Sequence, residues 1–560
     1  MSVTRLVPIP AGCAALLAVL VYLNALDNPF VYDDFRLIVE NPSILSLRDI
    51  QFVILRDVTR PVVNLSYAID TALWGPRPFG YHVTSVLLHA LNVVLVFWVA
   101  FLASEDARRQ TTTRAWNGLS STVIAFATAA LFAVHPMMTQ AVGYVASRSE
   151  VLYSAFFLLA FLAGRRWLRD GGTRWWVACI ALWVVAILSK ETAAMLPVVL
   201  LAYDWFVLEA DGAARRRRLL RLHVPMLAAM LIAGTGRLAV LMFVEYGGQT
   251  EPDWRFVLIA VDAFWRYVAM FFAPRGQAIF HDVPLIDGLF SVRALSGLAG
   301  LAAFAGLIWT SRRVHSLLAL GLLWFAVLLV PSGVLAIFGR GEPMAEHRAY
   351  LPAAGLFLAW GCAFGALWAR AAKFRMLAAG TAVILLASLA LLTIVRNVIW
   401  HDPVELSREA VALAPRHWVP RILLAESLRQ NGRCTEAVPE YRAVIAIRPR
   451  DAFPHTALVR CLIEIGRLDD AERVLRRLRT VSPASPDAAM GLGLIALLRS
   501  RPAEARVQFQ SALDKDGGHP QARRMMAFVD HALPESEQAR VCAELRIAAG
   551  GAVNVDTCRN

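Results

Sequence analysis

Up to about residue 400 the chain alternates between long apolar runs and short polar breaks; beyond that point it turns polar and alanine-rich. A membrane crossing needs about 20 mostly apolar residues. Such runs fall near 8–26, 83–103, 121–136, 150–164, 174–190, 192–209, 223–243, 293–311, 315–338, 350–369 and 376–396, which predicts an all-α polytopic membrane domain of about eleven spans over residues 1–399. The first run follows a stretch with the single charge Arg5, and reads as an uncleaved span in preference to a signal peptide, because ten further spans follow it. Residues 255–273 are also apolar, but Asp262 and Arg266 sit in their middle, where a charge at membrane depth is costly. They predict an amphipathic helix on the outer face.

The C-terminal part, 400–560, repeats itself. Pro415, Pro449 and Pro483 are 34 residues apart, as are Gly432 and Gly466, and Ala437, Ala471 and Ala505. A 34-residue period of paired helices marks tetratricopeptide repeats (TPR). The glycine ends the first helix of each pair, the alanine lets the second pack closely, and the proline ends the second. About three repeats and a capping segment at 519–560 predict an α-solenoid whose concave face suits a peptide or partner protein, in preference to a passive spacer.

Charge then orients the spans. The net charge is +13, yet the arginines cluster in short loops between apolar runs, which argues against a nucleic-acid-binding surface. Arg108, Arg109 and Arg114 follow span two; Arg165, Arg166, Arg169 and Arg174 follow span four; Arg215 to Arg218 and Arg221 follow span six. Arg312 and Arg313 follow span eight, and Arg370, Lys373 and Arg375 follow span ten. All these loops lie on one side, which the positive-inside rule makes cytoplasmic. The N-terminus is then inside, and the TPR segment outside. Hydrophobic residues make up 58% of the chain and mean hydropathy is +0.52, both above a soluble protein. The seven cysteines show no metal-ligand spacing; a Cys542–Cys558 disulfide requires an oxidising compartment.

This topology gathers the candidate chemistry on the outer face. The first outer loop, 27–82, is long and contains Asn28-Pro29-Phe30-Val31-Tyr32-Asp33-Asp34. An aspartate pair alone fits a helix cap or a turn. A long loop is more often functional, and a carboxylate near lipid is a stronger base. His135 and Gln140 follow span three, Arg148 and Glu150 precede span four, Lys190 and Glu191 turn between spans five and six, and Glu346, His347 and Arg348 precede span ten. Each alone reads as an interfacial anchor or ion pair; together they read as a polar cavity at one membrane face. Such a cavity suits sugar transfer from a lipid phosphate. The leaving phosphate needs cations such as Arg148, Lys190 and Arg348, and the acceptor hydroxyl needs one carboxylate base for an inverting transfer.

The block Asn28 to Asp34, followed by Arg60-Pro61 and by Pro78-Phe-Gly-Tyr-His-Val-Thr-Ser-Val-Leu-Leu-His-Ala-Leu-Asn92, resembles the transmembrane-and-TPR protein O-mannosyltransferases of the GT-C superfamily. Leu131 to Pro136, Gly143 to Leu152, Ser189-Lys-Glu191 and Glu346-His-Arg-Ala-Tyr-Leu-Pro352 are similar to further blocks in the same order, as is the terminal TPR array. The resemblance implies a GT-C fold, a polyprenyl- or dolichyl-phosphate sugar donor and a protein serine or threonine acceptor. It implies Asp33 as base with Asp34 in support, and Arg348 and Arg148 near the donor phosphate. Gln140 departs from the pattern, standing where many members carry an acidic residue, and the TPR array is shorter than in the animal members.

The expected function is therefore an integral-membrane glycosyltransferase with Asp33 and Asp34 as catalytic carboxylates and Arg148, Lys190 and Arg348 on the donor phosphate. His135, Glu150, Glu191, Glu346, His347 and Arg60 are expected in support. No metal or other cofactor is expected beyond the lipid-linked donor. The arginine- and alanine-rich composition points to a bacterial inner membrane with the TPR domain in the periplasm. The alternatives are a non-enzymatic membrane-anchored TPR scaffold for envelope assembly and a GT-C enzyme acting on a lipid or glycan. A transporter would show paired hydrophobic halves, which are not visible.

Overall fold

The computed structural model describes residues 8–110, 120–245, 253, 255–286, 288–337, 342–370, 375–548 and 558. Arg114 and Lys373 of the basic loops lie outside them. The chain divides into two units, Met1–Asp402 and Pro403–Asn560.

The first unit opens with α1 (Pro8–Val21), α2 (Ile50–Arg56), α3 (Pro61–Trp74), α4 (Pro78–Gln110), α5 (Ser121–Val134), α6 (Thr139–Gly143), α7 (Arg148–Asp170) and α8 (Thr173–Ile187). It continues with α9 (Leu196–Phe206), α10 (Gly212–Arg218), α11 (Val224–Ala239), α12 (Arg255–Phe272), α13 (Val292–Ser311), α14 (Ser316–Ile337), α15 (Tyr350–Arg370) and α16 (Arg375–His401). Among the described residues, seven helices are long and apolar enough to cross a membrane, or eight if the bent α5–α6 pair is one span. The protein is thus a multi-pass membrane protein, although fewer of its helices reach full crossing length than the eleven apolar runs predict. The shortfall has local causes. α5 ends at His135-Pro136 and bends by 59° into the following segment. His135 caps that bend, its Nδ1 accepting from Met137 N at 3.2 Å while its Nε2 lies 3.0 Å from the Phe271 carbonyl. α8 and α9 stop short on either side of Lys190-Glu191, of which Lys190 is buried.

α12, the expected amphipathic helix, packs along α13 and α14: the Phe264 ring sits 5.4 Å from Phe304 and 5.5 Å from Phe325, and Phe271 sits 5.6 Å from Phe357 of α15. Its mid-helix charge is neutralised in place, Asp262 pairing with Arg266 at 2.7 Å and with Arg293 of α13 at 2.5 Å. α14 and α15 touch where Gly321 faces Gly355, and a Cβ on either would meet the other's carbonyl oxygen. Such close approach of small residues is how helices pack without a hydrophobic driving force.

The opposite end of the bundle is also tied by charge. Asp106 of α4 accepts from Arg165 Nε at 2.6 Å and Arg169 Nη1 at 2.5 Å of α7, and from the Tyr203 hydroxyl of α9. These arginines belong to the loops that the charge pattern assigns to the cytoplasm, and Lys190, Glu191 and Arg348 line a cavity away from them.

The second unit is a solenoid of α17 (Pro403–Leu413), α18 (Trp418–Gln430), α19 (Cys434–Ile447), α20 (Ala452–Glu464), α21 (Leu468–Val481), α22 (Asp487–Leu498), α23 (Pro502–Lys515), α24 (Pro520–Val529) and α25 (Glu535–Ala548). The pairs α18–α19, α20–α21 and α22–α23 are the three repeats. Ala437, Ala471 and Ala505 are fully buried between helices. Gly432 and Gly466 end their helices at φ 69° and 76°, the left-handed geometry in which glycine has no Cβ penalty. Ser500, 34 residues on from Gly466, adopts it too, with φ 57°. Two disulfides, Cys434–Cys461 and Cys542–Cys558, staple this unit.

Candidate active site

The long first loop is largely helical. Between Ala25 and α4 it folds into short turns and into α2 and α3, held together by Asn64, whose amide donates to the Val53 carbonyl at 2.6 Å and to Ser43 Oγ at 3.0 Å. The acidic pair sits at the start of this loop in a tight turn. Asp34 N donates to the Val31 carbonyl at 2.9 Å, Val31 N donates to Asp34 Oδ2 at 3.0 Å, and Tyr32 between them has φ 47°. A tyrosine in the left-handed region is strained, and such strain persists where the surroundings over-determine it.

The surroundings here are the segment 144–148. Ala146 N donates to Asp34 Oδ1 at 2.6 Å, and Asp33 N donates to the Tyr144 hydroxyl at 3.0 Å. The Tyr144 ring stacks on Trp400, centroids 5.6 Å apart. Tyr67 reaches across from α3 to donate to the Val145 carbonyl at 2.9 Å. Asp34 is therefore fully buried and spent on backbone amides, whereas the Asp33 side chain stays 41% exposed. Burial pushes the Asp34 carboxyl up to about 8, against the pull of its two backbone hydrogen bonds. Asp33 is also raised by burial, but Arg36 (3.9 Å away) and Tyr144 oppose the rise.

Asp33 lines a cavity of about 430 Å³, together with Arg36, Arg60, Tyr67, Tyr144, Ser147, Lys190, Glu191, His347 and Arg348. Segments far apart in sequence thus meet at one place, and most of the predicted set meets there. Arg60 donates to Glu191 at 3.1 Å, and Glu191 is held down at about 2, because Arg60 and Lys190 outweigh its burial. Lys190 pairs with buried Glu150 at 2.5 Å. Arg348 Nη1 donates to the Glu342 carbonyl at 2.7 Å and is otherwise turned to the cavity wall. Among the described residues, His347 Nδ1 and Ser147 Oγ have no hydrogen-bond partner, though both atoms are buried.

The rest of the predicted set lies elsewhere. Arg148 is fully buried and faces away from this cavity: it pairs with Asp70 of α3, donates to the Tyr81 carbonyl at 2.6 Å, and stacks over the Tyr67 and Tyr81 rings at 5.0 and 5.5 Å. A phosphate contact is not open to it in this geometry; it holds the wall behind Asp33. Glu346 is enclosed by Gln277 Nε2, Ala278 N and His281 Nε2 at 2.7–2.9 Å. His135 serves the bend after α5. Gln140 is buried, and its Oε1 accepts from His347 N at 2.8 Å, so it holds the Glu346-His347-Arg348 turn.

Asp70, Tyr144, Arg36 and Glu342 were not anticipated. Asp70 carried a signal, a lone acid in the apolar run Val62 to Trp74 that needs a cation. Tyr144 lies within the 143–152 block without any sequence cue to its role. Glu342 follows span nine, and burial raises its carboxyl to about 7, with Arg348 opposing and Asp33 adding. Among the described residues, no three His, Cys, Asp or Glu side chains are grouped to hold a metal ion.

Residues 456–520 match the tetratricopeptide repeat family. The human protein O-mannosyl-transferase TMTC1 is 25% identical over 511 residues, covering 78% of this chain and 55% of that one. The mouse protein O-mannosyl-transferase TMTC4 is 25% identical over 492 residues, covering 76% of this chain and 64% of its own. The Drosophila melanogaster protein O-mannosyl-transferase Tmtc1 is 34% identical over 198 residues, 33% of this chain. The chain spans little more than half the length of the human relative. Among solved structures, a chain of the APC/C hetero-tetramer Cut9–Hcn1 aligns at 14% identity with a TM-score of 0.21, too loose a likeness to carry an argument.

Proposed function

We propose that this relative of the protein O-mannosyl-transferases is itself a membrane glycosyltransferase, moving a sugar from a polyprenyl-phosphate donor to a hydroxyl of a protein acceptor. One observation carries the reading: the half-exposed Asp33 carboxylate shares a cavity with Arg60, Lys190 and Arg348, three basic side chains, and with His347. The base and the phosphate site then stand on opposite sides of the transferred sugar.

In this mechanism the acceptor oxygen attacks the anomeric carbon as its proton passes to Asp33. The bond from that carbon to the phosphate oxygen breaks on the other face, and the polyprenyl phosphate leaves with the bonding pair. Configuration at carbon inverts, which needs one carboxylate and not two. Arg348 and Arg60 grip the leaving oxygens, with Lys190 adding charge from behind. Asp34 does no chemistry; it fixes the turn that presents Asp33. The donor carries its own activated leaving group, so the scheme needs no resident cofactor.

The acceptor side rests on the TPR unit, since solenoids of this kind bind peptides on a concave face. Its two disulfides favour an oxidising compartment, in agreement with a cytoplasmic N-terminus and a periplasmic TPR unit in a bacterial inner membrane. Reconstitution with labelled polyprenyl-phosphate sugars and periplasmic extract tests the reading, with mass spectrometry to show which molecule gains the sugar. Transfer that vanishes in Asp33→Asn supports it. No transfer from any donor, with wild type and Asp33→Asn alike in cells, sinks it in favour of a scaffold, whose phenotype would follow loss of 403–560.

A further inference from the structure

The 34-residue period does not stop at the third repeat. Counted on from Ala437, Ala471 and Ala505 it lands on Ala539 in α25, so α24 and α25 stand where a fourth pair would. The second helix of a pair buries a fixed set of positions: Ala471, Leu475 and Leu478 in α21, and Ala505, Phe509 and Ala512 in α23. The matching positions of α25, Ala539, Ala543 and Arg546, are all exposed. α25 buries Val541 and Leu545 instead, at 0% and 5% exposure. It is turned out of the register of a repeat helix and packs on something else.

What it packs on is the inner face of the array. The first helices of successive pairs touch, α20 meeting both α18 and α22, whereas the second helices α19, α21 and α23 approach one another less closely. The solenoid therefore curves with its first helices on the concave side. α25 reaches back to α20, a first helix two pairs upstream. Val541 and Leu545 join the apolar cluster that holds Leu458 and Leu462 of α20. Beside them on α25, Glu537 and Glu544 both pair with Arg524 of α24, at 3.8 and 2.8 Å. We propose that the concave face of the TPR unit is a groove for an amphipathic acidic helix, and that α25 occupies it in place of a helix from a partner protein. A helix laid in a groove is held through apolar anchors at i and i+4, which Val541 and Leu545 supply, and Arg524 fixes its placement through the two glutamates. A partner must match this pattern and displace α25, which competes at the high effective concentration of a tethered segment. The inference concerns recruitment and stands whether or not the chain transfers sugar.

The full chain in detergent, titrated with a fluorescein-labelled peptide of residues 535–548 bearing Cys542→Ser, provides the test. Val541→Asp with Leu545→Asp in the chain should expel α25 and open the groove. Fluorescence anisotropy is expected to show this variant binding the peptide about tenfold more tightly than the unsubstituted chain, whose groove is filled. A peptide that carries the same two aspartates should not bind it. Equal affinity of the two chains, no binding to either, or equal binding of the two peptides overturns the proposal. Arg524→Glu keeps the test open should the double substitution unfold the array, because it changes a single partly exposed charge. That variant should prefer a peptide with Glu537→Arg and Glu544→Arg over the natural one by about fivefold, since like charges now oppose the natural peptide. No preference between these peptides overturns the proposal.

Discussion

The backbone amide of Ala146 donates to Asp34 Oδ1 at 2.6 Å across 112 residues of sequence. This one bond fastens the start of the first loop to the entrance of α7, and it sets the two aspartates apart: on the proposed function, one is a support and the other the reagent. Asp34 is consumed by backbone amides; Asp33, one residue earlier, is left free to face the cavity.

The division predicts different losses for the two carboxylates. Asp33→Asn keeps shape and removes the base, so turnover falls by roughly 10²–10⁴-fold. Thermal unfolding in detergent and donor affinity should hardly change. Asp34→Ala instead leaves the Val31 and Ala146 amides unsatisfied, at about 1–3 kcal/mol each, and lowers the unfolding temperature together with activity. Parallel activity and unfolding curves for the two variants check this; equal destabilisation would refute the division.

Asp34 also gives the fold a pH dependence. Its carboxyl is raised from 3.8 to about 8 by burial, so the folded state holds a proton that the unfolded chain has lost. The unfolded state binds fewer protons across that window, and stability falls as pH rises from about 4 to about 8, then levels. Asp34→Asn, which does not titrate, should flatten the curve. Unfolding midpoints measured from pH 5 to pH 9 in the same detergent would show it.

On the proposed function, Arg36 should set the acid limb of activity. It lowers the Asp33 carboxyl against the upward push of burial, so Arg36→Gln should move that limb to higher pH while the basic limb stays put. Tyr144→Phe removes the acceptor of the Asp33 amide and loosens the turn. Its expected signature is a lower kcat with a smaller change in KM, because the residue's hydroxyl is spent on the Asp33 amide. The full pH profile of kcat/KM separates the two.

Arg148, expected on the donor phosphate, and Arg60, expected in support, should behave oppositely and with those roles reversed. Arg148 and Asp70 form a buried pair, and removing one partner of such a pair costs about 3–5 kcal/mol. Arg148→Gln should therefore express poorly and unfold early. Arg60 lies at the cavity with its side chain 37% exposed, so Arg60→Gln should fold and bind the donor more weakly. Expression level and donor titration together distinguish them.

The contrast marks how far the sequence is legible. The ordered blocks locate Asp33, Arg60, Lys190, Glu191, His347 and Arg348 of the cavity lining, because polar groups among apolar spans must converge or pair. They do not say which of two arginines faces the ligand. That depends on Asp70, which lies 78 residues before Arg148, and on the bend after His135, neither of which has a local pattern. Asp262 of α12 is a related case: it looks costly alone, but Arg266 and Arg293 pair with it. The repeats were legible from Gly432 and Gly466, because glycine announces a left-handed turn, whereas Ser500 makes the same turn without announcing it.

Ser500 therefore yields the last prediction. At φ 57° its Cβ crowds the backbone, which costs a non-glycine residue about 1 kcal/mol or more. Glycine removes that strain but makes the unfolded chain freer, which returns part of the gain. The backbone needed is already the one Gly432 and Gly466 adopt, so Ser500→Gly should be net stabilising by about 0.5 kcal/mol. The effect should be confined to the third repeat, since solenoid units couple to their neighbours and little further. Hydrogen–deuterium exchange of the full chain would show slower opening of amides in α22 and α23, with the first repeat unchanged. A matching substitution at Gly466, Gly466→Ser, should do the reverse in α20 and α21. If Ser500→Gly speeds exchange, the left-handed turn at 500 is not strained and the repeat is held by other contacts.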